Sequence, residues 1–255
     1  MPFEKVQSEK LAYAVVRQIE LLILRGILRP GERLPSEREM AERMGVSRPS
    51  LREAISDLQG NGLLETKPGS GIYVAEGLGA QYSPALTRLF STHDDAVFDY
   101  LAFRRDMEGL AIERAALLGS DTDLKVIDTI FRKMEKAHSK RDPSEEAALD
   151  AEFHMAIVEA CHNVVMLHIM RSMFDLLQEG IFFNRQIMFQ QRMTRDSLLD
   201  QHRAINAALQ ARDPAAARGA VAAHLDYVET ALLTKQKSDR NEEVAQKRFE
   251  HEQSR

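Results

Sequence analysis

Residues 28–74 read LRPGERLPSEREMAERMGVSRPSLREAISDLQGNGLLETKPGSGIYV. Pro30, Gly31 and Pro35 fix turns, after which Ser36 and Glu39 stand at the S-x-x-E spacing of a helix capping box. A short helix should start there and stop at Gly45. Ser47 then caps a further helix through SRPSLREAISDLQG, whose first turn tolerates Pro49 because the amide it lacks would have no helical partner. Helix, glycine turn, helix is the helix-turn-helix pattern. Past Gly60 and Gly62, LLET and IYVA flank the turn KPGSG and predict a two-stranded ribbon, the wing. Upstream, Leu11, Val15, Ile19, Leu22 and Ile23 recur at spacings of about three to four. An amphipathic helix should therefore run from Ser8 to about Gly26.

The third of these helices carries the chemistry. Leu51, Ala54, Ile55 and Leu58 form its buried stripe, leaving Ser47, Arg48, Ser50 and Arg52 around an exposed N-terminal turn. Such a turn fits a major groove: arginine presents a planar fork to guanine O6 and N7, hydroxyls bind phosphate or base edges, and the helix N-terminus attracts phosphate. Arg38 on the preceding helix should approach the same groove. Gly69 and Gly71 let the wing backbone pass close to a sugar-phosphate chain, and Lys67 adds a charge there. The alternative is a winged module for protein contacts, with these arginines merely solvated. A net charge of −5 looks adverse for a DNA ligand. It is unevenly placed, however: residues 1–78 carry 11 Lys or Arg and 11 Asp or Glu, whereas residues 79–255 carry 23 against 28. Within the neutral part, Arg29, Arg33, Arg38, Arg43, Arg48 and Arg52 recur at about five-residue intervals and can share one surface.

At 255 residues the chain accommodates two unequal domains, and 44% apolar with 29% charged residues excludes a fibrous or disordered class. The single cysteine, Cys161, cannot form an intramolecular disulfide and reads as a small buried thiol in a reducing compartment. No apolar run approaches the roughly 20 residues that span a bilayer, and MPFEKVQSEK lacks the apolar stretch of a signal peptide. A cytoplasmic protein is expected.

The fold class is mainly α: a winged helix-turn-helix with a small β-ribbon over 1–78, a linker over 79–93, an all-helical bundle over 94–237, and a charged tail over 238–255. The linker opens with AEGLGAQYSP and its Pro84. Helical spacing recurs near 94–118, 122–141, 144–161, 163–190, 195–211 and 214–237. The tail, KQKSDRNEEVAQKRFEHEQSR from Lys235, is expected to be frayed or disordered.

Inside the bundle, LDAEFH places Asp150 and His154 four residues apart on one helical face. The turn around Arg212, Asp213 and Pro214 should fold the last two helices into a hairpin. His202 lies ten residues before Arg212 and His224 ten after Pro214, so the two stand at similar heights and can face each other. Three imidazoles and one carboxylate make a suitable set for a divalent metal, with zinc, nickel and manganese as candidates. Four unrelated core residues are the alternative. His93, His138, His162, His168 and His251 lack comparable partners and read as structural or surface residues. An anionic ligand on such a metal also wants a cation nearby, and Arg104 or Arg105 in LAFRRDMEGLAIERAA is a candidate, on a helix otherwise lined by Leu101, Met107, Leu110 and Ala111. Glu108, four residues after Arg104, can instead occupy that arginine in a local pair. A metal-dependent enzyme is a second reading, although there is no HExxH base, nucleophile elbow or phosphate-binding glycine loop. A regulator for which the metal itself is the signal is a third.

The stretch from Leu28 to Val74 closely resembles the DNA-binding domain of the GntR family. The resemblance implies that Arg38, Ser47, Arg48, Ser50 and Arg52 touch DNA with Gly69 on the wing, and that a homodimer binds an inverted-repeat operator. The second half, with R-x-x-x-E, D-x-x-x-H and two later histidines, resembles the FCD ligand-binding domain of the FadR subgroup. It implies a metal at Asp150, His154, His202 and His224, and a carboxylate effector on Arg104. QIELLILRGILRPGERLP, SRPSLREAI and EACHNVVMLHIMRSMFDLL are most similar to the subgroup's regulators of pyruvate dehydrogenase and of lactate utilisation. That branch implies a repressor released by a small 2-keto or 2-hydroxy acid such as pyruvate or lactate.

Overall fold

The computed structural model describes residues 9–76, 88–90, 93–140, 143–178 and 192–253. The Ser8 position, most of the linker expected over 79–93, and residues 179–190 of the helix expected over 163–190 lie outside these residues. The chain divides into two compact units.

In the N-terminal unit, α1 (Glu9–Leu24), α2 (Glu37–Met44) and α3 (Arg48–Gly60) precede the strands β1 (Leu64–Lys67) and β2 (Gly71–Val74). The inward stripe of α1 is Ala12, Val15, Val16, Ile19 and Ile23, whereas Leu11, part of the expected apolar pattern, lies one position off that stripe and is exposed. These residues pack with Leu51, Ala54, Ile55, Leu58, Leu64 and Val74. Ser36 caps α2 by accepting from the Glu39 amide at 3.3 Å. The reciprocal half of the expected capping box is replaced, because the Glu39 carboxylate takes the Arg43 guanidinium at 2.6 Å. Gly45 ends α2 in the left-handed region at φ 64°, and its amide turns back to Ala41 and Glu42. That conformation sets the angle between α2 and α3 and is open to glycine at no steric cost.

The strands pair antiparallel, with Leu64 opposite Val74 and Lys67 opposite Gly71. A third segment joins them: Arg33 bridges Tyr73, and the Leu34 amide donates to the Ile72 carbonyl at 2.9 Å. A two-stranded ribbon alone is marginal in water, so this extra edge stiffens the wing.

The helices that follow are α4 (Asp94–Leu118), α5 (Asp121–His138), α6 (Pro143–Ala160), α7 (Val164–Gln178), α8 (Arg192–Gln210) and α9 (Pro214–Gln253), which make up the helical unit except for Leu167–Ser172 of α7, grouped with the N-terminal unit. A complete capping box, Ser120 with Asp123, starts α5. Helix α4 lies against α9 and α6, α5 against α6 and α8, and α8 against α9. Ile112, Ile127, Phe131, Phe153, Ile157, Ile205, Leu209 and Val221 form the main core. Leu110, expected to line the inner face of α4, is exposed; the inward stripe runs through Leu101, Arg104, Glu108, Ala111, Ile112 and Ala115. The tail expected to be disordered from 238 instead continues α9 to Gln253, exposed throughout its described residues. Its composition is free of Gly and Pro, and i,i+4 ion pairs such as Lys235–Asp239 and Lys247–Glu243 link successive turns. Among the described residues no helix is long and apolar enough to cross a membrane.

Replacing Gly45 by Ala forces a Cβ into the left-handed region, at a cost of about 1–2 kcal/mol. Hydrogen exchange on the full chain should show the α2 and α3 amides opening more readily by that amount, with α5 and α6 unchanged.

Candidate functional site

The exposed turn at the start of α3 is built by Ser47, whose hydroxyl accepts from the Ser50 amide at 3.2 Å. Arg48 and Arg52, four residues apart, project together with side chains 57% and 62% exposed. Arg38 is exposed on α2. Ser50 departs from expectation. It is buried, its hydroxyl 2.8 Å from that of Ser47, because position 50 falls on the same side of α3 as Leu51 and Ala54. Glu37 was not singled out from the sequence. Its carboxylate accepts from Arg52 Nε at 2.8 Å and lies 4.0 Å from Arg48 Nη2. At the wing tip Gly69 has φ 71°, and a Cβ added there would meet nothing within 4 Å. Lys67, expected to offer a free charge, donates to Glu76 at 2.8 Å and lies 3.3 Å from Glu65.

In the helical unit, Asp150 and His154 of α6, His202 of α8 and His224 of α9 converge. All four are buried, and one ligand atom from each lies within 4.8 Å of the others. The hairpin between α8 and α9 turns at Arg212, with φ 52°, and the Asp213 side chain accepts from the Ala216 amide at 2.9 Å. That turn brings the His202 and His224 ring centroids to 4.6 Å. Asp150 Oδ1 lies 2.9 Å from His202 Nε2 and 3.7 Å from His154 Nε2.

Each imidazole turns its Nδ1 to an acceptor. His202 Nδ1 donates to the Leu198 carbonyl at 2.7 Å, and His224 Nδ1 to the Gln201 amide oxygen at 2.9 Å. His154 Nδ1 faces Glu108 Oε2 at 2.6 Å, a contact without the alignment of a full hydrogen bond. With the Nδ1 protons so directed, the neutral rings present three Nε2 lone pairs, and those of His154 and His202 stand 3.3 Å apart. Lone pairs and a carboxylate facing one another in a dry interior repel unless a proton or a cation sits among them. Burial pushes the His202 and His224 rings toward neutrality, His224 the more strongly because His202 and His154 adjoin it. Burial opposes protonation of His154 as well, but the Glu108 and Asp150 carboxylates outweigh it and raise its affinity for a proton. Three imidazole nitrogens and one carboxylate oxygen, each nitrogen backed by an acceptor, fit a divalent transition metal.

Arg104, not Arg105, is the inward arginine. It is 2% exposed, and its Nε donates to Glu108 Oε1 at 2.5 Å. The guanidinium lies over the Phe174 ring at 4.9 Å, and its Nη2 is a buried nitrogen with no hydrogen-bond partner among the described residues. The local pair and the free donor therefore coexist. Burial works against both charges of the pair, yet Glu108 holds Arg104 above its ordinary pKa, while Arg104 and then His154 hold Glu108 down to about 2. Arg105 points outward to Asp226 and Glu229. His93, His162 and His251 are exposed and His138 half-buried, as expected of residues outside the cluster. Cys161 is buried, and burial pushes its thiol up.

Residues 11–74 match the family model of bacterial regulatory proteins of the gntR family, and residues 99–227 match the FCD domain. The Glc operon transcriptional activator of Escherichia coli is 34% identical over 231 residues, covering 89% of this chain and 91% of its own. An Escherichia coli protein named for regulation of the L-lactate dehydrogenase operon is 32% identical over 254 residues, covering 98% and 92%. Among solved structures, Streptococcus agalactiae GntR is 26% identical, covers 85% of this chain and 98% of its own, and superposes with a TM-score of 0.54.

Glu108→Gln leaves the Arg104 guanidinium buried without its counter-charge, which costs about 3–5 kcal/mol. Arg105→Ala removes only two partly exposed pairs, with Asp226 and Glu229, at about 0.2–1 kcal/mol each. Chemical denaturation of the metal-free protein should separate the two neighbours accordingly.

Proposed function

Because the chain belongs to the gntR family of bacterial regulatory proteins and carries an FCD domain, we propose that it binds an inverted-repeat operator as a homodimer and releases it when the helical unit takes up a small 2-keto or 2-hydroxy acid. Family membership makes the chain a DNA-binding transcriptional regulator and not an enzyme, so the metal-dependent enzyme left open above is set aside. It is related to regulators named for lactate genes. Pyruvate and lactate are the acids to test first, and the cytoplasm is the compartment in which operator and effector meet.

The observation that carries the sensing half is a buried guanidinium nitrogen with no hydrogen-bond partner among the described residues, close to one carboxylate and three imidazoles whose ligand atoms converge as a divalent ion requires. Bound at Asp150, His154, His202 and His224, a divalent ion supplies a Lewis-acid site for an acid's carboxylate and its neighbouring oxygen; the mixed nitrogen and oxygen set favours zinc, then nickel or manganese. The chain's own residues supply the rest. Glu108 holds Arg104 in place, Arg104 Nη2 donates to the effector carboxylate, and Phe174 walls the guanidinium from water. A pocket that leaves a charged donor unpaired selects strongly for a ligand able to pair it.

The reading half uses residues 1–78, with Arg38, Arg48 and Arg52 at base edges, Ser47 at a phosphate, and the Gly69 turn over the adjacent backbone. Ser50, being buried, acts by holding Ser47. The Arg52–Glu37 pair does not prevent this, since an exposed ion pair contributes about 0.2–1 kcal/mol whereas a bidentate arginine-guanine contact contributes about 1–3 kcal/mol. The 94–237 bundle then acts as the sensor that changes the spacing of two reading heads. Repression is the primary reading. The name of the Glc operon activator supports activation as the second, and in vitro transcription from a selected promoter decides between them.

Fragments selected from genomic DNA should yield a common two-fold site, and Arg48→Ala should weaken its binding by about 1–3 kcal/mol without unfolding the protein. Recovery of no preferred site at modest salt removes the reading-head assignment. On the metal-loaded protein, pyruvate or lactate should change operator affinity about 5- to 150-fold, the usual range of coupling between sites. Arg104→Lys should abolish that response. Operator affinity that tracks free metal and ignores every acid makes the metal the signal instead.

A further inference from the structure

Helices α6 and α8 contribute three of the four cluster residues, yet they are not close-packed neighbours. Helix α6 lies against α4 and α5, and α8 against α5 and α9. Their relative register is set through α5, on which both pack, and by side chains that reach directly from one to the other. One polar cluster does so. Arg195, near the start of α8, donates through Nε to Glu146 Oε2 at 2.8 Å and through Nη2 to Glu146 Oε1 at 2.8 Å. The same Nη2 reaches the carbonyls of His138, the last residue of α5, and of Lys140, two residues beyond it, at 2.9 and 3.0 Å. The His138 ring completes the clasp, with Nδ1 3.0 Å from Glu146 and Nε2 2.9 Å from Asp196. Glu146 is buried and Arg195 largely so.

The clasp is placed where register matters. Glu146 precedes Asp150 by one turn of α6. Arg195 precedes Leu198, whose carbonyl orients His202, by about one turn of α8, and His202 by about two. A slip of one helix past the other by a single residue moves a ligand about 1.5 Å. Metal-ligand distances tolerate about 0.2 Å. Apolar side chains at this level, Ala147 and Leu198, offer only non-directional contact, which does not resolve such a slip.

We propose that Arg195 and Glu146 are positioning residues for the metal site, a clasp that fixes α6 against α8 so that Asp150, His154 and His202 meet in binding geometry. The inference rests on the metal reading above, and the experiment tells the two apart. Wild-type full-length protein, Glu146→Gln, Arg195→Lys and the ligand variant His202→Ala are prepared metal-free. Far-UV circular dichroism and melting temperature record the fold, chelator competition measures zinc affinity, and the visible spectrum of the cobalt-loaded protein reports ligand geometry. Glu146→Gln and Arg195→Lys should stay folded, bind zinc about 10- to 100-fold more weakly, as removal of outer partners of metal ligands does, and show a shifted cobalt spectrum. Arg195→Lys keeps a charge and part of the contact with the carbonyls, so it reports even if Glu146→Gln does not fold. Folded variants with wild-type zinc affinity and cobalt spectrum overturn the clasp, whatever their melting temperature. Wild-type protein that binds zinc no better than His202→Ala overturns the metal reading itself, and the clasp with it.

Discussion

His154, His202 and His224 each commit Nδ1 to an acceptor, and the acceptors are of three kinds: a carboxylate, a backbone carbonyl and a side-chain amide. Such backing fixes ring orientation and leaves the Nε2 lone pairs directed at Asp150. Much of the helical unit serves that arrangement. Glu108 supplies one acceptor and at the same time neutralises Arg104, so a single carboxylate couples the buried guanidinium to the His154 ring. Burial makes the coupling strong, since in a low-dielectric interior an unpaired charge is far more costly than at the surface. Among the described residues the network stops short of full satisfaction at Arg104 Nη2 and at the imperfectly aligned contact of His154 Nδ1 with Glu108 Oε2.

The N-terminal unit treats charge in the opposite way. Arg48 and Arg52 are more than half exposed, and the pair that Arg52 makes with Glu37 lies in water. Weak, exposed pairs keep long side chains aligned without competing seriously with a new partner. Exposed ion pairs exchange partners readily, whereas buried ones hold a fixed geometry, and the two units differ in this way. Stiffness in the reading head comes from backbone instead: the left-handed Gly45 sets the turn, and the segment around Arg33 and Leu34 adds an edge to the ribbon.

Local rules made much of this legible in the sequence. Ser36, Ser47 and the glycine at 45 marked helix ends because caps depend only on neighbours within one turn. The spacing of apolar residues located the starts of the bundle helices to within a few residues, and equal counts on either side of the Arg212 turn were enough to bring His202 opposite His224. The errors are equally instructive. Leu11 and Leu110 followed a helical period yet are exposed, because a period says that a stripe exists but the neighbouring element decides which stripe is covered. Ser50 belongs to the turn expected to be exposed on α3, but its position beside Leu51 turns it inward. The charged tail was expected to lose its structure, yet helix-forming residues with ion pairs one turn apart continue α9.

By itself, then, the sequence determined the order and type of elements, the winged reading head, and the candidate set of three histidines and one aspartate, since each follows from interactions that span a few residues or from one short hairpin. Tertiary structure decided what no spacing encodes: that Arg104 rather than Arg105 is buried, that Glu108 serves both Arg104 and His154, and that Leu198 and Gln201 back the other two rings. It also brought Glu146 to Arg195 across 49 residues of chain. Contacts of that range depend on how whole helices pack, and packing is settled by the summed burial of many side chains rather than by any one residue's neighbours.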